Sequence, residues 1–198
     1  MAKTNKKLRL TLNAPVISIF IGLCALALIL NQITYARAND LFFSIYRSSP
    51  ADPLFYIRLF GHVLGHSGWQ HFLNNATLIL ITGPLLEEKY GSKKILLVIL
   101  LTALATGLAH LAIVPSRGLL GASGVAFALI LLSSMTQIKD GEGPVTFVLV
   151  AVLYIGQEIL SMLTVSNNIS NSTHIIGGCV GAVSGFLMNK NQNREGGS

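Results

Sequence analysis

The sequence predicts an all-α, polytopic membrane protein with six transmembrane helices, and three observations carry that reading. The chain is 52% hydrophobic and only 11% charged, against roughly 25% charged in an ordinary globular domain. Its charges gather at Lys3 to Arg9, Glu87 to Lys94, Lys139 to Glu142 and the C-terminus. Long uncharged runs lie between these clusters, close to the roughly 20 apolar residues needed to cross a bilayer.

Those runs place the spans at 14–32, 70–87, 94–114, 119–138, 145–165 and 173–189. Backbone inside hydrocarbon must satisfy its own hydrogen bonds, so the spans read as helices. The chain then divides into a basic cytoplasmic N-terminus (1–13), a six-helix domain (14–189) and a polar cytoplasmic tail (190–198), with 191–198 expected to be disordered. The N-terminal basic head, apolar run and Ala36-Arg37-Ala38 imitate a cleavable secretory signal. The apolar run is long and the candidate site lies well beyond Leu30, so a retained first helix is the expectation. Cys24 and Cys179 fall inside predicted spans as small apolar residues, forming neither a disulfide nor a metal-ligand set.

Orientation follows from the tendency of Lys and Arg to stay on the cytoplasmic side. With the N-terminus inside, ten of the fourteen basic residues are cytoplasmic, and Arg37, Arg47, Arg58 and Arg117 lie outside. The net charge of +6 therefore speaks for topology and contact with the lipid bilayer, not for nucleic acid. The long external piece from Ile33 to Trp69 mixes Leu41-Phe-Phe and Pro53-Leu-Phe-Tyr with arginines, which suits a structured loop in the membrane interface.

Polar residues at membrane depth face a cavity or a partner. Helices two, four and six all begin on the outer side in this topology. His71 and Asn75 then stand near the start of helix two, Ser123 near the start of helix four and His174 at the start of helix six, all at one depth. Gly121, Ala122 and Gly124 on helix four, and Gly177, Gly181 and Gly185 at four-residue spacing on helix six, allow close backbone approach. That packing would bring His174 against Ser123.

A serine hydroxyl needs a base within hydrogen-bond reach to attack a carbonyl, and neutral imidazole is the usual one. His71 and Asn75, four apart on one helix face, offer N–H donors for an oxyanion, and the Ser123 backbone N–H adds another. With these residues and motifs, His66 to Asn75 (HSGWQHFLNN), Gly121-Ala-Ser-Gly124 and Thr173-His-Ile-Ile-Gly-Gly-Cys-Val-Gly181, the sequence resembles a rhomboid intramembrane serine protease of the minimal six-helix type. The likeness runs from about Arg58 to Gly185.

The resemblance implies a rhomboid-like bundle in which Ser123 is the nucleophile and His174 the base, with His71, Asn75 and the Ser123 backbone as oxyanion contacts. It also implies that Gly121 and Gly124 complete the nucleophile motif, that Gly177 and Gly181 pack the helices, and that the dyad has no acidic third member. Two departures stand out. The family's Trp-Arg pair appears as Ile57-Arg58, and Phe127 falls where many members carry a tyrosine that stacks on the histidine. A phenyl ring can stack but cannot donate a hydrogen bond.

Other polar residues carry less. His62 and His66 are four apart but lack a third ligand and an H-E-x-x-H signature, so no metal and no cofactor is expected. His110 is expected at the interface, and Glu158 in a local hydrogen bond. Glu87 and Glu88 read as a solvated cluster at an inner turn, although the resemblance makes Glu87 a structural hydrogen-bonding residue. A transporter would want paired half-helices or a charged ring, which are absent from the pattern. The rival is a catalytically inactive rhomboid-like protein that binds transmembrane helices. The expected partners are single-pass membrane proteins, cut near the outer face of a bacterial cytoplasmic membrane, with Thr164 to Thr173 as a lid and helix five as a lateral gate.

Overall fold

A computed structural model describes residues 11–113, 118–136, 145, 148–150, 152, 153, 156 and 168–195. Among them the architecture is all-α: α1 (Pro15–Ile33), α2 (Pro53–Gly61), α3 (Trp69–Tyr90), α4 (Ser92–Ile113), α5 (Ser123–Ser134) and α6 (Asn168–Glu195), with a π-helical turn at Asn39–Phe43. The expected fifth span and Glu158 fall essentially outside the described residues, as do the basic residues before Thr11.

α1 and α4 are long and apolar enough to cross a membrane by length and composition. Both leave large apolar side chains exposed, among them Ile19 and Leu26 on α1 and Leu97 and Leu100 on α4. In water such faces would be a liability; in hydrocarbon they need no partner. Inward, Ile17, Leu28, Ile79, Val98, Val125 and Leu129 form the shared core.

α1 has no side-chain cap of its own, and Pro15 suits its first turn because proline has no N–H to leave unpaired. The acceptor comes from the far end of α3, where the Glu87 carboxylate takes the Val16 and Ile17 N–H groups at 2.9 Å each and the Ser92 hydroxyl at 2.6 Å. A negative charge thus meets the positive end of α1. This corrects the solvated reading of Glu87, which is 3% exposed.

The opposite ends of α3, α5 and α6 from Ser123 are also tied together. Tyr90 donates to Asn189 Oδ1 at 2.9 Å, Asn189 Nδ2 donates to the Met135 carbonyl at 2.5 Å, and the Lys89 ammonium donates to the Thr136 carbonyl.

α6 exceeds its expected bounds at both ends. It begins at Asn168 and reaches Glu195, so the tail expected to be disordered from 191 is helical through Glu195. Most of the expected lid is likewise the first turns of α6, while its residues 164–167 lie outside the described set. Ser and Asn favour turns over helix interiors, but Thr173 is already packed into the bundle, and tertiary packing overrides local preference.

The segment between α1 and α3 is folded, as expected. Asp52 caps α2 by accepting from Leu54 N–H at 2.9 Å, and its other oxygen takes Arg58 at 2.9 Å. Arg58 also donates to Ser48 Oγ at 2.8 Å and lies 4.7 Å from the Tyr46 ring centre. Its hydrogen bond holds the Asp52 carboxyl below the usual carboxylate range, with the Leu54 N–H adding to the effect. His110, in the last turn of α4, is buried against the rest of the protein.

Replacing Glu87 by Ala should strand two α1 N–H groups and cost about 2–4 kcal/mol. Thermal unfolding in detergent micelles checks this; Glu87→Gln, which still offers one oxygen, should lose less.

Candidate active site

Ser123 opens α5, so its backbone N–H has no intrahelical partner and the positive end of the helix surrounds it. The turn leading to it is pinned twice. Leu119 and Ile45 exchange two antiparallel backbone hydrogen bonds of 2.9 Å, and Gly121 N–H donates to the His62 carbonyl at 2.9 Å. Gly121 has φ +133°, and a Cβ there would stand 2.9 Å from both Cε1 and Nε2 of His71. Glycine is thus required by conformation and by space. Ser123 Oγ lies 3.8 Å from that same point, so the hydroxyl and the His71 imidazole flank one small volume.

His71 sits in the first turn of α3, with Asn75 one turn further along the same face. The Ser67 N–H donates to His71 Nδ1 at 3.5 Å, and Ser67 Oγ lies 3.2 Å from the same nitrogen. An N–H can only donate, so Nδ1 is the acceptor and Nε2, the nitrogen beside Gly121, carries the proton. In this tautomer His71 presents Nε2–H toward the Ser123 side.

α6 supplies His174. Its ring centre is 4.6 Å from that of Phe127, with the planes tilted by 47°. Phe127 is one turn beyond Ser123 on the same face of α5. The α5–α6 pairing is the most extensive helix contact among those described. A Cβ on Gly177 would stand 2.8 Å from the Gly124 carbonyl carbon, and one on Gly181 would stand 2.7 Å from that of Ala128. Gly185 meets the Met135 and Leu132 side chains instead.

The two histidines weighed as a metal pair turn to different partners. His62 places Nδ1 3.0 Å from the Leu59 carbonyl and Nε2 3.2 Å from Thr106 Oγ1. His66 places Nδ1 3.0 Å from the Leu64 carbonyl and Nε2 3.2 Å from Asn75 Nδ2. Burial pushes each imidazole down to about 4, with His110 adding to this at His62 and His71 at His66. The contact of His66 with Asn75 escaped the sequence reading, and only its four-residue step from His62 and nine-residue step to Asn75 hinted at a shared cluster.

Fold and site together define a class: an all-α bundle with apolar outer helices, holding a serine, two histidines and an asparagine at one end of three helices that run in the same direction. A family model described as Rhomboid domain matches residues 54–191. The chain belongs to the rhomboid family, a membrane-embedded family whose members are usually serine proteases. No curated protein matches it.

Gly177→Ala should force α5 and α6 apart and cost roughly 1–3 kcal/mol, whereas Gly22→Ala, with nothing within 4 Å of the new Cβ, should be neutral or stabilising by about 0.5–1 kcal/mol. Melting of the two variants in micelles separates these outcomes.

The histidine environments also fix a pH dependence. The folded pKa values of His62 and His66 lie near 4, below the ordinary 6.5. The unfolded chain therefore takes up protons that the fold refuses. Stability should be complete above about pH 6.5 and fall as pH drops toward 4. A melting midpoint that stays flat across that window contradicts the assignment.

Proposed function

We propose that the protein is an intramembrane serine endopeptidase that cuts transmembrane segments of single-pass membrane proteins near the outer face of the membrane. The observation that carries this reading is the Gly121 turn, where the Ser123 hydroxyl and the protonated nitrogen of His71 flank one small volume. Membership of the rhomboid family supports it.

Ser123 Oγ attacks the scissile carbonyl carbon while His174 takes the hydroxyl proton. The C–O bond forms and the carbonyl becomes an oxyanion, held by His71 Nε2–H, Asn75 Nδ2–H and the Ser123 backbone N–H. Collapse breaks the C–N bond, His174 returns its proton to the leaving amine, and an acyl-enzyme ester remains. Water, deprotonated by His174, attacks the ester and frees the acid and the serine. Phe127 steadies the His174 ring by stacking, without a hydrogen bond. The substrate helix must unwind locally, since its carbonyls are otherwise engaged in backbone hydrogen bonds.

In this reading six helices span the membrane with both termini cytoplasmic. The site opens to the outer side of a bacterial cytoplasmic membrane, where water reaches it. The distribution of basic residues supports that orientation.

Purified wild type reconstituted in liposomes should cleave a model single-pass substrate near the outer end of its helix, with the cut located by mass spectrometry. Ser123→Ala and His174→Ala should each reduce cleavage by at least about 10³-fold while melting as wild type does. Wild type that binds such helices without cutting any would instead make the chain an inactive rhomboid-like binding protein.

A further inference from the structure

We propose that His66 is a positioning residue for the Asn75 oxyanion donor: it holds the Asn75 amide so that one N–H stays directed at the substrate. The proposal rests on the protease reading given above.

His66 is 0% exposed, so each of its ring nitrogens needs a partner inside the protein. Nδ1 faces the Leu64 carbonyl at 3.0 Å, and a carbonyl only accepts. The proton therefore sits on Nδ1, and Nε2 is left as an acceptor. Across from it, 3.2 Å away, is the side chain of Asn75. Only the amide nitrogen of Asn75 can satisfy that acceptor, which settles which way the amide is turned. One Nδ2–H is spent on His66 and the second remains for an oxyanion. A flipped amide would set two lone pairs against each other in a buried site, at a cost that excludes it.

The same ring is edge-on to His71, with centres 4.9 Å apart, and to Phe72 at 5.5 Å. His66 is thus in contact with both side chains assigned to the oxyanion. Its own backbone is fixed in turn, because the His66 carbonyl accepts from Asn39 Nδ2 at 3.0 Å and Asn39 N–H donates to Asn31 Oδ1 at 3.0 Å. The chain of contacts runs from α1 through the folded segment to Asn75. A packing residue would need shape alone; this one uses a donor and an acceptor with defined partners.

Two substitutions divide the ring's functions. His66→Asn keeps an N–H near the Nδ1 position for the Leu64 carbonyl but cannot reach Asn75. His66→Gln can present an oxygen near the Nε2 position to the Asn75 amide. Steady-state cleavage in liposomes should give a kcat for His66→Asn about 10–100-fold below wild type, with KM changed less than about 3-fold. His66→Gln should stay within a few-fold of wild type. The double variant His66→Asn/Asn75→Ala should be no slower than Asn75→Ala alone, because the two residues act through one donor.

Equal losses in the two His66 variants would overturn the proposal, as would losses that multiply with Asn75→Ala or that simply follow the melting midpoint. Should His66→Asn fail to fold, His66→Leu, which fills much of the ring's space without an acceptor, takes its place under the same criteria. Wild type and Ser123→Ala run alongside. If they cut equally, or neither cuts, the protease reading falls and this one with it. Ser123-dependent cleavage with equal losses at position 66 overturns the positioning role alone.

Discussion

The bundle depends on a contact between two backbones. Gly177 and Gly181 of α6 lie against Gly124 and Ala128 of α5 with no room for a methyl group on the α6 side. Inside a membrane, association of helices gains little from burying apolar surface, since lipid tails are as apolar as leucine. Close van der Waals packing along such a seam is then the main attraction, helped by Cα–H to carbonyl contacts. Four-residue spacing on both helices keeps the seam straight for a full turn and sets the His174 ring beside Phe127. The relation of α6 to Ser123 is inherited from that seam.

The segment before α3 does for Ser123 what the glycine seam does for His174. It reaches the turn before α5 through Ile45 and through the His62 carbonyl, so two separate parts of the segment grip Leu119 and Gly121. Its main polar side chains find partners within it or on the neighbouring helices, although Asn39 Oδ1 and Arg58 Nε are buried without one among the described residues. Arg58 has Ser48, Asp52 and the Tyr46 face, and His62 has Leu59 and Thr106. Such a unit holds its shape largely through hydrogen bonds of its own.

Much of this was legible in the residues. Long uncharged runs announce helices because a continuous apolar run satisfies its own backbone in hydrocarbon as a helix, and α1, α3 and α4 fall within a few residues of the expected spans. Glycines four apart on 177–185 announced a close helix contact. What escaped has physical reasons. A buried glutamate beside lysines has the same composition as a solvated cluster, and only the distant N-terminus of α1 tells Glu87 apart. Histidines four apart look alike whether they bind one ion or point at separate carbonyls, because tautomer and ring direction depend on chain segments tens of residues away. The early start of α6 was hidden by Asn and Ser, whose turn preference is worth tenths of a kcal/mol against a helix already packed at Thr173.

The tie among Tyr90, Asn189 and Met135 gives the three site-bearing helices a common root. With the glycine seam locking α5 to α6 next to Ser123, the bundle is fastened twice, by side-chain hydrogen bonds at its base and by backbone contact toward the site.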